Sequence, residues 1–244
     1  MISNKIIFHS SQEYNSLSDK YLPVPASKVI PDWYSSYEKF LKDKHGKIIS
    51  SPNGERFLTF KSCPALLDMF LAGYFLVTPC DLFFYIKNGE PYVTIDSEFK
   101  NFCGERQKME GFDNPYDYYE KHFYWYPNWA PELPSGYSSL YLNPINHYNL
   151  PFHTIEGIID NDKLSSPGNM PFFIKKGFEG IIPAGTPYML IIPFKREGWQ
   201  MEIMHHTKEE IKQRTTSVAD IFHKYRVTGG GGFKKHMWSR KRFD

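Results

Sequence analysis

The 244-residue chain has few cysteines, and their spacing argues against a zinc site. Its three thiols belong to Cys63, Cys80 and Cys103, and no two of them form a CxxC or CxxxxC pair. Structural zinc sites are usually built from such pairs, completed to four nitrogen or sulfur ligands. Three isolated cysteines instead indicate unpaired thiols in a reducing compartment.

The chain also lacks a long apolar run and a strong net charge. No segment approaches the roughly 20 apolar residues of a membrane-spanning helix, and the first residues show no apolar stretch typical of a secretion signal. The formal net charge is only +2, so any attraction to nucleic acid or to a membrane surface must be local. We therefore expect a protein that stays in the cytoplasm of its host and has no membrane partner.

Aromatic residues, by contrast, make up 17% of the chain. Such residues favour strands and bring large buried areas. In the second half of the chain, proline and glycine separate six apolar runs at the spacing typical of an antiparallel sandwich or barrel. The runs are FYWYPNW, SSLYLNP, TIEGIID, PFFIKKG, YMLIIPF and WQMEIMH. The pattern predicts a mainly β (α+β) protein, an antiparallel jelly-roll or cupin-like β-sandwich with peripheral helices, a C-terminal helix and a basic tail.

Turn residues predict several local elements around this sandwich. Asn88-Gly89 stands between two aromatic, β-branched runs and is the favoured signal for a type I′ hairpin turn. Pro31, followed by apolar residues at near-helical spacing, predicts a helix over about 31–45. A short buried helix or turn is expected to end near Gly73.

We expect a single β-sandwich domain over 1–228 and a glycine-hinged basic tail over 229–244. The charged, tyrosine-rich stretch over about 98–121 reads as an insertion between strands, and so as a candidate lid or interface. Thr207 and Glu210 have the spacing of a capping box and predict the start of the C-terminal helix.

The segment NHYNLPFHTIEGIIDND concentrates groups that bind metals or move protons. His147, His153, Glu156 and Asp160 are candidate ligands for iron, manganese or zinc, because imidazole and carboxylate suit these ions. Asp160, Asp162 and Glu156 are the candidate catalytic carboxylates. His153 and Glu156 lie three residues apart, however, and on a strand such side chains point to opposite faces. In the alternative interpretation the histidines line a rim, 160–162 is a turn that bonds its own backbone, and no cofactor is expected.

Candidate binding residues follow in the stretch GFEGIIPAGTPYMLIIPFKREGW. Arg196 stands at the end of an apolar strand, where its guanidinium can clamp a carboxylate or phosphate. Alternatively, it forms an ion pair at the strand end. Tyr188 and Trp199 are candidate anchors for a partner, since such residues combine packed area with a polar tip.

The C-terminal tail is both basic and aromatic. Lys234, Lys235 and Arg240 stand near Trp238, a composition that suits an arm docked on the chain's own body, on a neighbouring subunit or on a protein partner. Nucleic-acid binding is restricted to this tail, where basic groups can neutralise phosphates beside stacking aromatics.

Two jelly-roll families share short motifs with the chain. The turn PAGTP between apolar strands resembles the second cupin motif, and Tyr188 holds the place of that family's metal-binding histidine. The resemblance implies a metal-dependent oxygenase or isomerase. The motifs PSGYSSL, GIIDND and GGGGF resemble, in their order, those of trimeric dUTPases, which implies a nucleotide hydrolase with Asp160 at the catalytic water. Here KLSS follows Asp162 where that family has Tyr-Arg-Gly.

From about Val24 to Trp199 the chain resembles a domain-of-unknown-function family of large tailed phages of marine bacteria, cyanophage-like, and of some bacteria. The matching stretches are VPASKVIPDWY, TFKSCPALLDMFLAGYFLVTPCDLFF, PSGYSSLYLNPIN, LPFHTIEGIIDND and GIIPAGTPYMLIIPFKREGW. The resemblance implies a phage-encoded protein made in the host cytoplasm. Our leading hypothesis is a non-catalytic accessory module, in the virion or in host takeover, that assembles with itself or a protein partner. The alternative is a cupin-type enzyme, and a dUTPase-like hydrolase is a third.

Overall fold

A computed structural model of the chain describes residues 5–10, 21–54, 56–108, 117–166, 168–215 and 238–243. These residues belong to two compact units. The first unit takes its residues from 1–36, 70–196 and 243–244, and the second from 37–69 and 197–242. The predicted boundary at residue 229 lies outside the described residues, so the division into one domain and a tail stays a prediction. No helix within the described ranges is long and apolar enough to cross a membrane.

The first unit contains fourteen strands in four antiparallel sheets, counted over the described part of the chain. In chain order they are β1 (Ile7–His9), β2 (Val24–Pro25), β3 (Tyr74–Val77), β4 (Leu82–Lys87), β5 (Glu90–Ile95), β6 (Cys103–Glu105), β7 (Tyr118–Trp125), β8 (Ala130–Glu132), β9 (Tyr137–Leu142), β10 (Phe152–Thr154), β11 (Gly157–Ile159), β12 (Met170–Lys175), β13 (Gly180–Ile182) and β14 (Pro187–Lys195). The predicted mainly β, antiparallel fold with peripheral helices is confirmed.

The order of the strands in the sheets is nested. The largest sheet runs β11-β9-β14-β3-β2, the next β10-β12-β7-β6, and two smaller sheets run β13-β4-β5 and β1-β8. Strand β3 thus pairs with β14, β4 with β13 and β7 with β12, so that early strands meet late ones. A long hairpin that rolls up produces this order, which is compatible with a jelly roll. The cupin likeness stays a prediction.

One face of the five-stranded sheet packs against the four-stranded and three-stranded sheets, and the main core lies between them. Its centre is aromatic, with the Trp125 ring stacked on Phe172 at a centroid distance of 3.7 Å. Tyr188 from β14 and Phe84 from β4 belong to the same buried cluster. The three sheets therefore share one core, as a sandwich requires.

Strand β14 is apolar almost throughout because both of its faces are buried. Met189 and Ile191 point into the main core, whereas Leu190 packs with Phe75 in a second cluster on the opposite face. A register shift next to Tyr188 lets this residue face the main core as its neighbour Met189 does. Because both faces of the strand are buried, the sequence shows an unbroken apolar run, YMLII, instead of an alternation of apolar and polar residues.

The predicted hairpin is confirmed. β4 and β5 pair antiparallel up to Lys87 and Glu90, and only Asn88 and Gly89 lie between them. Both turn residues have positive φ, 53° and 79°, as a type I′ turn requires.

The helix predicted over about 31–45 requires correction, because α1 spans only Asp32–Ser35. The hydroxyl groups of Ser35 and Ser36 donate to the carbonyl oxygen of Asp32, at 3.1 and 2.6 Å, which competes with the bonding of a longer helix. Farther on, the backbone N–H of Leu41 donates to the carbonyl oxygen of Phe57 at 2.9 Å. Long-range hydrogen bonds of this kind replace the local bonds that a helix needs.

The stretch over about 98–121 is also corrected, since it is not wholly an insertion. It contains all of β6, which pairs with residues 123–125 of β7 in the four-stranded sheet, and it also contains the first residues of β7. Residues 109–116 lie outside the described residues, so a role as a lid stays a prediction.

Two further helices lie where the sequence predicts them. α2 spans Pro64–Leu71, and Gly73 follows it with φ of +81°. In the second unit, 208–215 is helical, and the predicted capping box is present. The Glu210 carboxylate accepts from the backbone N–H of Thr207 at 2.8 Å, and the Thr207 hydroxyl accepts from that of Glu210 at 3.3 Å.

Candidate functional site

A polar cluster joins three adjacent strands of the five-stranded sheet. It consists of Ser138 at the start of β9, Asp160 and Asp162 in the turn after β11, and Arg196 at the end of β14. β9 lies between β11 and β14 and runs antiparallel to both, so these residues meet at the same end of the three strands. They do so although 34 residues separate Asp162 from Arg196 in the sequence. Three of the four are sequence candidates, and the fold brings them together.

Arg196 and Asp162 form a bidentate ion pair within the polar cluster. Arg196 Nη1 donates to Asp162 Oδ1 at 2.8 Å, and Nη2 donates to Oδ2 of the same carboxylate. Nη1 also donates to the carbonyl oxygen of Tyr137 at 2.9 Å, and the backbone N–H of Gly136 donates to Asp162 Oδ2 at 2.8 Å. An external carboxylate or phosphate would therefore have to displace Asp162 from the guanidinium.

These contacts lower the pKa values of both carboxyl groups. Hydrogen bonds from Arg196, and then from the Gly136 N–H, hold the pKa of Asp162 at about 2. The hydrogen bond from the Ser138 hydroxyl, at 2.6 Å, and the nearby Arg196 charge lower the pKa of Asp160, although burial opposes them. Both groups are ionised at neutral pH. A carboxylate with a lowered pKa is a weak general base.

The turn that carries these carboxylates bonds its own backbone. The backbone N–H groups of Lys163 and Leu164 both donate to the carbonyl oxygen of Asp160 at 2.9 Å. Asn161 is buried, and its side chain donates to the carbonyl oxygen of Leu164 at 3.1 Å and accepts from the Tyr141 hydroxyl at 3.3 Å. This geometry is the turn that the sequence offered as the alternative to a metal site. The catalytic roles of Asp160, Asp162 and Glu156 stay predictions.

The structure brings only two of the four candidate metal ligands together. His153 Nε2 lies 3.4 Å from Glu156 Oε1, because β10 ends at Thr154 and the rule for opposite strand faces no longer applies. His147 packs its ring against Phe75, and its buried Nε2 has no hydrogen-bond partner among the described residues. Burial lowers the pKa of His147. Within the described ranges, no group of three His, Cys, Asp or Glu residues could hold a metal.

Tyr188 requires a correction as a candidate binding residue. Its side chain is only 1% exposed and contacts the rings of Phe102 and Trp125 in the main core. Burial raises the pKa of its phenol well above the usual range. The residue is thus inaccessible to a partner, because the register shift in β14 turns it inward.

In the described part of the tail, Trp238 and Lys241 form hydrogen bonds within the second unit. The Trp238 indole N–H and the Lys241 ammonium group both donate to Asp68 Oδ2, at 2.9 and 2.8 Å. Burial alone would raise the pKa of Asp68, but these two bonds outweigh it and the pKa lies below the usual value. Arg240 is exposed, whereas Lys234 and Lys235 lie outside the described residues.

The exposed segment, 198–204, follows the polar cluster in the sequence. Trp199 is 88% exposed, Met201 87%, Ile203 68% and Met204 66%. The sequence predicts a strand in WQMEIMH, and this prediction is wrong for the described structure, in which 197–207 contain no helix or strand. Of these residues the sequence singled out only Trp199. The alternation of apolar residues with Gln200 and Glu202 was the signal for the others.

A cleft in the first unit was not predicted from the sequence. It has a volume of about 610 Å³ and lies beside β13, an edge strand of the three-stranded sheet. Apolar side chains form most of its walls, and two lysines also line it. Its lining includes Leu150, Lys175, Lys176, Phe178 and Ile181. Such a site draws on loops far apart in the sequence, and no local motif marks it.

Comparisons of this chain with protein-family models, with curated proteins and with solved structures found no match. The phage, cupin and dUTPase resemblances therefore stay predictions.

Proposed function

We propose that the protein is a binding or assembly module whose subunits associate through the exposed segment. One observation carries this proposal: four large apolar side chains, those of Trp199, Met201, Ile203 and Met204, are each at least 66% exposed within seven residues. Single exposed apolar residues are common on protein surfaces, but contiguous ones mark interaction sites.

The alternation in this segment supports docking as an added strand. Trp199, Met201 and Ile203 alternate with Gln200 and Glu202, the pattern of a strand with one buried face. Adding such a segment to an open sheet edge pairs its backbone groups and buries one row of side chains. Each buried Met or Ile side chain contributes about 1.5–3 kcal/mol.

The state of the polar cluster supports a structural rather than a catalytic role for its residues. Arg196 is held by Asp162, and both carboxylates have lowered pKa values. The cluster thereby fixes the end of β14, two residues before the exposed segment begins. A fixed attachment point reduces the entropy lost when a docking segment becomes ordered.

The sequence resemblance supports the biological setting of the proposal. A phage-encoded accessory protein, made in the host cytoplasm and acting in the virion or in host takeover, would need such a docking surface. The protein partner is then another copy of the chain or a second structural protein.

Sedimentation velocity over a wide range of protein concentration tests the proposal. We expect the purified full chain to associate, and the double variant Trp199→Ser, Met201→Ser to remain monomeric because the apolar contact is lost. The matched control is Ile211→Ser, since Ile211 is 52% exposed but lies on the helix 208–215. A wild-type chain that stays monomeric, or a double variant that associates as wild type does, contradicts the proposal.

A further inference from the structure

The cleft beside β13 has the properties of a groove that receives an extended chain. β13 pairs with β4 on one side, and no strand of the described residues pairs with it on the other. An edge strand carries backbone groups that are available to pair with an added strand. Ile181 on this strand is 55% exposed, and Leu150 lines the cleft as well.

The groove and the exposed segment match in polarity and charge. Phe178 and Ile181 offer apolar contacts to Trp199, Met201 and Ile203, which share one face of an extended chain. The lysines Lys175 and Lys176 line the same cleft, and both are exposed. Glu202 is an exposed acidic residue of the segment, on the face opposite its apolar row. Paired charges of this kind fix the register of an added strand.

We infer that the exposed segment of one copy docks in the cleft of a second copy, as a strand added beside β13. The inference rests on the proposed function and names its partner and its site. If the exchange is reciprocal, the interface is isologous, and each copy gives one segment and receives one.

The area of such an exchange is sufficient for a stable dimer. The three apolar side chains of the row, those of Trp199, Met201 and Ile203, bury about 400 Å² in all, taking roughly 150–250 Å² for an aromatic residue and roughly 60–120 Å² for each aliphatic one. With the groove surface covered and both segments counted, the total is about 1,600 Å². Stable specific interfaces bury about 1,200–2,000 Å².

The first test uses two exposed residues of the same sheet. Ile181→Ser changes the cleft, and Phe83→Ser changes its cross-strand neighbour, which is 49% exposed and does not line the cleft. Because both side chains are about half exposed, we expect either position to accept serine without loss of the fold. Circular dichroism checks that each variant is folded. We expect Ile181→Ser to weaken dimerisation by roughly tenfold or more, and Phe83→Ser to leave it unchanged.

Mixing two variants identifies the pairing itself. Trp199→Ser keeps its cleft and Ile181→Ser keeps its segment, so an equimolar mixture forms dimers with one intact contact. We expect the mixture to dimerise more tightly than either variant alone. Likewise, Glu202→Lys should weaken dimerisation, and a mixture with the Lys175→Glu, Lys176→Glu variant should restore part of it.

The outcomes separate this inference from the proposed function. If the chain does not associate through the exposed segment at all, the proposed function and this inference are both contradicted. If Trp199→Ser dissociates the dimer while Ile181→Ser behaves like Phe83→Ser and mixing restores nothing, the proposed function stands. The segment then docks elsewhere, and the inference is overturned.

Discussion

At the scale of single residues, Thr154 links two buried groups of the main core. Its hydroxyl accepts from the Trp125 indole N–H at 2.9 Å and donates to the carbonyl oxygen of Tyr188 at 2.8 Å. Thr154→Val preserves the shape and leaves both partners unpaired. We expect the free energy of unfolding, measured in urea, to fall by about 1–3 kcal/mol.

Thr154→Ser is the matched control, because it keeps the hydroxyl and removes the methyl group. It should retain most of the stability that the valine variant loses. An equal loss in both variants would show that packing of the methyl group, rather than the hydrogen bonds, stabilises this site.

Asp162 makes the stability depend on acid pH. Its pKa is about 2 in the folded protein against an ordinary value of 3.8, so the unfolded chain binds the proton first as the pH falls. The contribution of this group is therefore complete above pH 3.8 and is lost as the pH falls through about 2. Asp162→Asn has no such contribution. The difference in free energy of unfolding between wild type and variant should shrink across this window; a constant difference contradicts the assignment.

Gly73 is required by both its backbone angle and its surroundings. It has φ of +81°, and a Cβ atom at this position would collide with the carbonyl oxygen of Ile191. We expect Gly73→Ala to lower the free energy of unfolding by about 2 kcal/mol or more, since left-handed backbone costs other residues about 1–3 kcal/mol. Gly157→Ala is the control, because no atom lies within 4 Å of the added group. Equal stability of both variants would refute the argument.

At the scale of elements, the end of the chain is held against α2 by one carboxylate. Asp68 accepts hydrogen bonds from Trp238 and Lys241, so Asp68→Ala removes both contacts. We expect trypsin to cleave after Arg240 and Lys241 faster in the variant than in wild type, because proteolysis requires the segment to detach. Unchanged cleavage rates, with thermal stability also unchanged, would show that these bonds do not retain the tail.

Elements differ in how far local chemistry decides them. The β4–β5 hairpin follows from Asn88 and Gly89, which accept positive φ at little cost, and was predicted correctly. The helix expected over about 31–45 ends at Ser35 instead. Its apolar spacing is compatible with a helix, but hydrogen bonds to residues such as Phe57 compete with that local preference. Long-range pairing of this kind leaves no signature in a short window of sequence.

At the scale of the whole molecule, folding should protect two of the three cysteines from reagents. Cys63 is exposed, whereas burial raises the pKa of Cys80 to about 11 and that of Cys103 well above its usual value. The reactive species is the thiolate, so we expect one thiol to react rapidly with a disulfide reagent at neutral pH. All three should react after denaturation. Rapid reaction of two or three thiols in the native protein would contradict the described core.

The sequence by itself determined the class of the fold, the hairpin turn and the capping box. Each depends on the conformational preferences of neighbouring residues, or on a repeat of apolar runs. Only the tertiary structure decided that Arg196 pairs with Asp162, that Tyr188 is buried and that 198–204 lie exposed. Distant groups make the first contact, and a register shift in β14 turns Tyr188 inward. The alternation of apolar and polar residues around Trp199 predicts a strand whether the segment is buried or exposed. Its burial depends on whether another chain segment pairs with it.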